Sequence, residues 1–250
     1  MNYIYKNRFF DYVDIGSSRS ARHVIAAIRP HMFALSVLDV GCGRGLWLAE
    51  WQRSGIAEVQ GVDGSYVSTA ELAVPAQYFR ALDVSRSFDL ERQFDLVQSL
   101  EVAEHIAADC AELFIDNLCR HGDLILFSAA VPGQGGEHHI NEQPYEYWRE
   151  KFRVRGYRVF DFVRTAVARN RQVEPWYRYN SLLFARDNAL ERLDKAVQRT
   201  QVQDSTPVPD IAPVSWRLRN ATLRRMPAGI VHRLVALKHV LTLASSITKS

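Results

Sequence analysis

The chain has 250 residues, 47% of them hydrophobic and 24% charged. Those proportions suit an ordinary globular protein with room for one sizeable α/β domain and an appendage. The net charge is only +3, which does not call for nucleic acid as a partner. Three cysteines without paired spacing, Cys42, Cys110 and Cys119, predict reduced thiols and a cytoplasmic setting. The polar start, residues 1–6, does not read as a signal peptide. No apolar run reaches the roughly eighteen residues of a transmembrane helix.

Residues 1–17 carry Tyr3, Tyr5, Phe9, Phe10 and Tyr12 and are expected to form a lid or an N-terminal arm. Over 18–30, Val24, Ile25 and Ile28 recur at helical spacing and Pro30 ends the pattern. A first strand at 36–40 runs into Asp39-Val40-Gly41-Cys42-Gly43-Arg44-Gly45, and a helix over about 44–54 follows to Gly55. Glycines at alternate positions allow positive φ and let the backbone close on a ligand, with the N–H groups of the next helix behind them. The G-x-G-x-G spacing departs from the dinucleotide fingerprint G-x-G-x-x-G. A second strand at 58–63 ends in Asp63, which also qualifies as an N-cap for a helix predicted over 65–73. A third strand at 78–83 ends in Asp83, and a fourth at 94–100 contains Ser99. With a fifth strand at 123–128, the alternation of elements predicts a doubly wound, mostly parallel sheet. Its ligands belong at the carboxyl ends of the strands, beside strand one.

The acid-x-G-x-G-x-G stretch, Asp39 to Gly45, resembles motif I of the class I S-adenosylmethionine (SAM) methyltransferases. The resemblance implies a Rossmann-like α/β fold of seven strands with an antiparallel last strand. It implies that Gly41, Gly43 and Gly45 pass under the methionine part of SAM and that Asp39 belongs to the same site. Asp63 takes the place of the acid that binds both ribose hydroxyls, and Asp83 that of the acid near the adenine. The end of the fourth strand, with Ser99, faces the methyl group. The 18–30 helix either covers the cofactor's edge or simply packs on the sheet.

Glu101, Glu104 and His105 follow the fourth strand. On a helix, positions i, i+3 and i+4 share a face, and two carboxylates beside an imidazole suit a divalent cation. After the fifth strand, 133–142 form a glycine-rich loop containing Glu137, His138, His139 and Glu142. Strands four and five are neighbours in this fold, so the loop can reach the Glu-x-x-Glu-His segment. The combination resembles the small-RNA terminal 2′-O-methyltransferases and the ubiquinone-biosynthesis O-methyltransferases. That resemblance implies Mg²⁺ or Mn²⁺ on Glu101, Glu104 and His105, with His138 or His139 as the fourth ligand. Without a metal, His105, His138 or His139 is the candidate catalytic base, or the pair only caps and braces the loop.

A helix over about 144–155, a sixth strand at 157–163 and a seventh at 180–185 complete the sheet, the last two pairing antiparallel. Between them, 169–179 interleave Arg169, Arg171 and Arg178 with Trp176, Tyr177 and Tyr179. This suits a planar or sugar-like acceptor or, equally, an edge loop with its aromatics turned inward. The loop, the Tyr/Trp helix and the Trp-Tyr-Arg segment resemble methyltransferases of bacterial surface-glycan biosynthesis over about 35–186. The expected organisation is a methyltransferase domain over 1–200, a Pro-rich linker over 201–214 and a basic amphipathic helical tail over 215–250. The tail contains no acid and is a candidate contact for the inner-membrane surface, a partner or RNA. The function implied is O-methylation of a sugar hydroxyl on a glycan, lipid-linked or nucleotide-linked. A phenolic or catechol-like acceptor, RNA 2′-O-methylation and a non-catalytic scaffold are the rivals.

Overall fold

The structure, a computed structural model, describes residues 7–226. The elements run α1 (Asn7–Ile28), β1 (Ser36–Val40), α2 (Leu46–Arg53), β2 (Glu58–Asp63), β3 (Phe79–Ala81), β4 (Leu96–Leu100), α3 (Ala111–His121) and β5 (Leu124–Ser128). There follow α4 (Tyr145–Arg153), β6 (Arg158–Phe160), α5 (Phe162–Val167), α6 (Pro175–Asn180), β7 (Leu182–Ala185), α7 (Lys195–Gln198) and α8 (Val214–Arg224). The strands form one seven-stranded sheet in the order β3-β2-β1-β4-β5-β7-β6. β7 runs antiparallel to both β5 and β6, while the other pairs are parallel. This is the Rossmann-like, doubly wound sheet that the alternating elements predict.

Central strands buried on both faces read as continuous apolar runs rather than alternating ones. In β5, Leu124 and Leu126 pack with Val24, Ile25, Trp51 and Val163 on one face of the sheet. Ile125 and Phe127, between and after them, pack with Phe114, Leu118, Trp148 and Phe152 on the other. Successive side chains leave a strand on opposite faces, so one strand serves two cores. α1 and α2 cover the first face and α3 and α4 the second. β2 and β3 extend the sheet to one side of β1, and β4 and β5 extend it to the other. The carboxyl ends of β1 and β4 therefore flank the switch point where doubly wound sheets bind ligands.

Four local expectations are corrected. The first helix starts at Asn7, so the expected arm and the expected helix are largely one element; Tyr3 and Tyr5 lie outside the described residues. No α-helix forms over 65–73. Only a 3-10 turn at Thr69–Glu71 is present, because Pro75 lies close behind and Asp63 spends its carboxylate on other groups. The sixth strand stops at Phe160, and Phe162–Val167 are helical instead. The Trp-Tyr-Arg segment is α6, with Pro175 in its first turn, where a missing N–H costs nothing.

The Pro-rich stretch after Gln201 has no helix or strand up to α8, yet it is strapped to the core. Arg149 donates to the carbonyls of Thr206 and Gln203 at 2.6 and 2.7 Å, and Glu146 accepts the Val208 N–H at 2.6 Å. The strap brings α8 back toward the carboxyl ends of the strands. The tail segment 230–238 lies outside the described residues. Among the described residues no helix is long and apolar enough to cross a membrane.

Candidate active site

One cavity opens at the carboxyl ends of β1, β2 and β4. Its lining includes Asp39, Gly41, Gly43, Asp63, Glu104 and His139. The glycine turn forms its floor. Gly41, Gly43 and Gly45 all have positive φ, at 82°, 53° and 75°, a conformation that costs other residues about 1–2 kcal/mol. Asp63 holds the turn: its carboxylate accepts the Gly43 N–H at 2.7 Å, the Gly64 N–H at 2.6 Å and the Tyr66 O–H at 2.6 Å. A carboxylate has about four acceptor positions, so Asp63 organises the turn and keeps capacity for a ligand hydroxyl.

Asp39 is buried in β1 opposite Gln98 of β4. Burial pushes its carboxyl up to about 7, the Gln98 contact works against this, and the Asp63 charge adds to it. The unfolded chain ionises this group near pH 4, so its contribution to stability is fully present below that pH. It is lost as pH rises to about 7, by at most about 4 kcal/mol at 1.36 kcal/mol per pH unit. The melting temperature of the ligand-free protein is expected to fall between pH 5 and 7 relative to an Asp39→Asn variant. Parallel melting profiles across that range would refute the assignment.

α1 forms the roof over the turn. Arg44 donates to Asp11 at 2.8 Å, to Asp14 at 2.9 Å and to Glu71 at 2.7 Å, and lies over the Phe10 ring. Phe10, Asp14 and Ser17 thereby line the cavity. The motif residue Arg44 was the available signal for this clasp, but its partners are about thirty positions away and no local pattern announces them.

The Glu-His segment is not an α-helix. Glu101 has φ +57°, with its N–H donated to the carbonyl and hydroxyl of Ser128 at 3.0 and 3.1 Å. Ala103–His105 form a 3-10 turn. The i, i+3, i+4 face therefore does not exist, and the three side chains do not converge as it predicts. Instead Glu104, His105 and His139 each bring a ligand atom within 4.8 Å of the others, the group of potential metal ligands found among the described residues. Glu104 is fully buried, and neither carboxylate oxygen has a well-formed hydrogen bond. Burial, and after it the Glu101 charge, hold its carboxyl well above the ordinary range, although the Glu104 and Ala130 backbone N–H groups act on it and lower its pKa.

The 133–142 loop is fastened to the Glu104 backbone. The Ile140 and Asn141 N–H groups donate to the Glu104 carbonyl at 3.0 and 2.9 Å. Glu142 gathers the rest, accepting from the Gly133 and Gly135 N–H groups at 2.7 and 2.6 Å and pairing with His139 Nδ1 at 2.8 Å. His139 Nε2 is thereby turned toward Glu104 Oε1, 3.9 Å away. The ring lies over Gly136, where a Cβ would stand 2.0 Å from Nε2. His105 is buried against the same group; burial, then the His139 charge, lower it to about 3, so it stays neutral.

Several expected site residues fall elsewhere. Glu101 lines the cavity, but Gln134 and Asn180 donate to its carboxylate at 2.6 and 3.2 Å, and it is absent from the ligand group. His138 is left-handed, with φ +56°, and offers His105 Nδ1 its backbone carbonyl at 3.2 Å. Its ring does not line the cavity, whereas that of His139 does. Ser99 is buried and donates to the Val40 carbonyl at 2.8 Å, bracing β1 against β4. Asp83 lies outside the lining and accepts from the Ser85 hydroxyl and N–H; Val84 lines the cavity in its place. Gly45 is the N-cap of α2, packed on Val74 and outside the cavity lining. On the remaining side Trp47, Trp176, Tyr177, Trp216 and Arg219 form an aromatic wall. The last two come from α8, which the sequence places beyond a linker.

Residues 13–161 match the family model described as a methyltransferase domain. The chain belongs to that family. Solved structures agree on the fold. The magnesium protoporphyrin IX methyltransferase of Synechocystis PCC 6803, with bound S-adenosylhomocysteine, is 18% identical, with 71% of this chain and 86% of that one covered at a TM-score of 0.51. DesVI of Streptomyces venezuelae is 14% identical, with 74% and 100% covered at 0.55. The sugar N-methyltransferase KedS8 of Streptoalloteichus sp. is 17% identical, with 74% and 94% covered at 0.53. No curated protein sequence matches significantly. The protein is a class I SAM-dependent methyltransferase.

Proposed function

We propose that this methyltransferase moves the methyl group of SAM to a sugar hydroxyl, assisted by Mg²⁺ or Mn²⁺ on Glu104, His105 and His139. The observation that carries the reading is Glu104: a fully buried carboxylate without a well-formed hydrogen bond at either oxygen costs stability unless something meets it. The donor set fits a borderline-to-hard divalent ion, two imidazoles and a carboxylate. Glu142 on His139 is the outer carboxylate that typically fixes a metal-binding imidazole. The charge balance agrees. Among the described residues, Asp14, Asp39, Asp63, Glu101, Glu104 and Glu137 line the cavity against a single arginine, Arg219. Burial raises the pKa of Asp39, Asp63, Glu101 and Glu104, so a cation, whether the sulfonium and ammonium of SAM or a metal ion, would be favoured for holding these carboxyls ionised.

A bound divalent cation would lower the pKa of an acceptor hydroxyl and orient a neighbouring oxygen. The chain's own residues do the rest. The Gly41–Gly43 backbone receives the methionine part of SAM, with Asp39 beneath its charge. Asp63 would accept a ribose hydroxyl with its remaining acceptor position. His105, held neutral, presents an imidazole rather than a cation, and Glu142 holds the His139 ring so that Nε2 faces the acceptor side. Gln134 and Asn180 keep Glu101 oriented beside Glu104, and positioning of this kind supplies much of the rate. The aromatic wall suits the apolar face of a sugar. KedS8, by its name, methylates a sugar on this fold, which supports the class of acceptor. The same wall would also receive a phenolic ring.

The His139–Glu142 pair favours a second reading, in which His139 takes the acceptor proton without metal and Glu142 orients it. Calorimetric titration of Mn²⁺ into protein saturated with S-adenosylhomocysteine separates the two. One site is expected, weakened about 10–100-fold by Glu142→Gln. S-adenosylhomocysteine release with a panel of nucleotide sugars is expected to stop after metal stripping and resume with Mn²⁺. Full turnover in excess chelator would leave the metal-free mechanism.

A further inference from the structure

A second cavity lies on the other side of α8, between that helix, α6 and the start of α4. Its walls are the aromatic rings of Tyr145, Tyr179 and Trp216, and its rim carries Arg217, Arg224 and Arg225. Trp216 lines both cavities. Beside Trp216, the partition is hydrogen-bonded at Asn180 and Arg219. Asn180, which lines the second cavity, donates to Glu101 in the first and to Gln134 at 2.8 Å, and accepts from the Tyr145 hydroxyl at 3.3 Å. Arg219 ties the helix to the Gln134 carbonyl at 2.9 Å.

The charges differ between the two cavities. The first is acidic. In the second, Asp210 is the single acid beside three arginines, and it accepts the Ala212 N–H. Elsewhere arginines are mostly paired with carboxylates, as in Arg155 with Glu112 and Asp116 or Arg164 with Asp161. Arg217, Arg224 and Arg225 have no carboxylate partner among the described residues. The three exposed guanidinium groups line one cavity, and planar forks of this kind bind phosphate oxygens bidentately.

We infer that the second cavity binds the diphosphate of an activated sugar, whose sugar passes Trp216 into the first cavity. The inference rests on the sugar-acceptor reading above and narrows it to sugars carried on a diphosphate. The diphosphate neutralises the arginine rim, and the ring of Trp216, stacked under Arg219, gives the sugar an apolar face to cross. The acidic first cavity repels the same diphosphate, so the acceptor enters in one orientation, with its uncharged end toward Glu104.

The test uses full-length, chelator-stripped protein first shown to bind S-adenosylhomocysteine, with inorganic pyrophosphate as the titrant. One pyrophosphate per chain is expected, weakened about tenfold or more by Arg217→Ala with Arg224→Ala, in keeping with the worth of a charged hydrogen bond. Affinity for S-adenosylhomocysteine should be unchanged in that variant. Arg199→Ala, an exposed arginine far along the chain, should bind pyrophosphate like the parent. Failure of the parent to bind pyrophosphate, or equal weakening by Arg199→Ala, overturns the inference while leaving the methyltransferase reading intact; failure to bind S-adenosylhomocysteine strikes that reading instead. The carrier is then decided by comparing a uridine diphosphate sugar with phosphatidylcholine vesicles carrying a polyprenyl diphosphate sugar. Binding of either supports the site, and binding of neither overturns it.

Discussion

A Glu104→Met variant is expected to melt at a higher temperature than the parent in metal-free buffer and to lose about 10³-fold in turnover. Methionine has a similar length and no polar atom, and the Glu104 backbone carbonyl that holds Ile140 and Asn141 is retained. The substitution removes two buried oxygens without a well-formed hydrogen bond, a penalty of at most about 1–3 kcal/mol, partly offset by the loss of the Glu104 and Ala130 N–H contacts. For a domain of this size each kcal/mol moves the melting temperature by about 2–4 °C. On the metal-assisted proposal, the loss of rate follows from removing a charged ligand whose metal would supply several kcal/mol to the transition state, at about 1.4 kcal/mol per tenfold. Mn²⁺ should stabilise the parent and leave the variant unmoved, since a ligand raises stability only where it binds the folded state. Thermal melts with and without Mn²⁺, beside turnover, check all three outcomes. A variant that melts lower, or that keeps its rate, would show that Glu104 is braced by something other than a cation.

The second large effect is expected from Gly41→Ala. Gly41 has φ +82°, and a Cβ there would lie 2.4 Å from Val102 Cγ2 and 2.7 Å from Cγ1. The left-handed backbone costs a non-glycine residue about 1–2 kcal/mol, and overpacking costs about 1–3 kcal/mol more. Val102 is buried two residues before Glu104 and cannot withdraw without moving the 3-10 turn that carries the cluster. The expected outcome is a melting temperature lower by about 5–15 °C, with binding of S-adenosylhomocysteine and of Mn²⁺ weakened together. Gly55→Ala is the control, since φ is +97° there and nothing lies within 4 Å of its Cβ position. It should pay the backbone cost alone and leave both ligands bound. If Gly41→Ala weakened neither ligand, the turn and the cluster would be mechanically independent.

What was legible in the sequence was local. The apolar runs 36–40, 96–100 and 124–128 are strands because residues at period two must fill two cores, and the glycine spacing announces three left-handed residues at the end of β1. Asp63 was legible as the acid closing β2, and the resemblance to the methyltransferases implied its place beside the turn. The Glu-His cluster was legible in composition but not in geometry. Local spacing proposed a helix face, whereas the Glu101 N–H bonds to Ser128, on a strand neighbouring only in space, and that bond bends the chain into the left-handed region.

The choice of His139 over His138 was likewise beyond the sequence. It depends on Glu142 gathering Gly133, Gly135 and His139 around one carboxylate. Ser99 and Asp83 were assigned to the cofactor by position in their strands, but a side chain's hydrogen bond goes to the nearest suitable partner, here the Val40 carbonyl and Ser85. The Pro-rich strap carried no sign that Arg149 would fasten it, and so none that Trp216 and Arg219 would wall the active site. Backbone propensity and hydrophobic period act within a few residues and determined the elements and their order. The partners of buried charges lie tens of residues away, and only the folded chain, by bringing them within hydrogen-bond reach, decided which of the acids and histidines form the site.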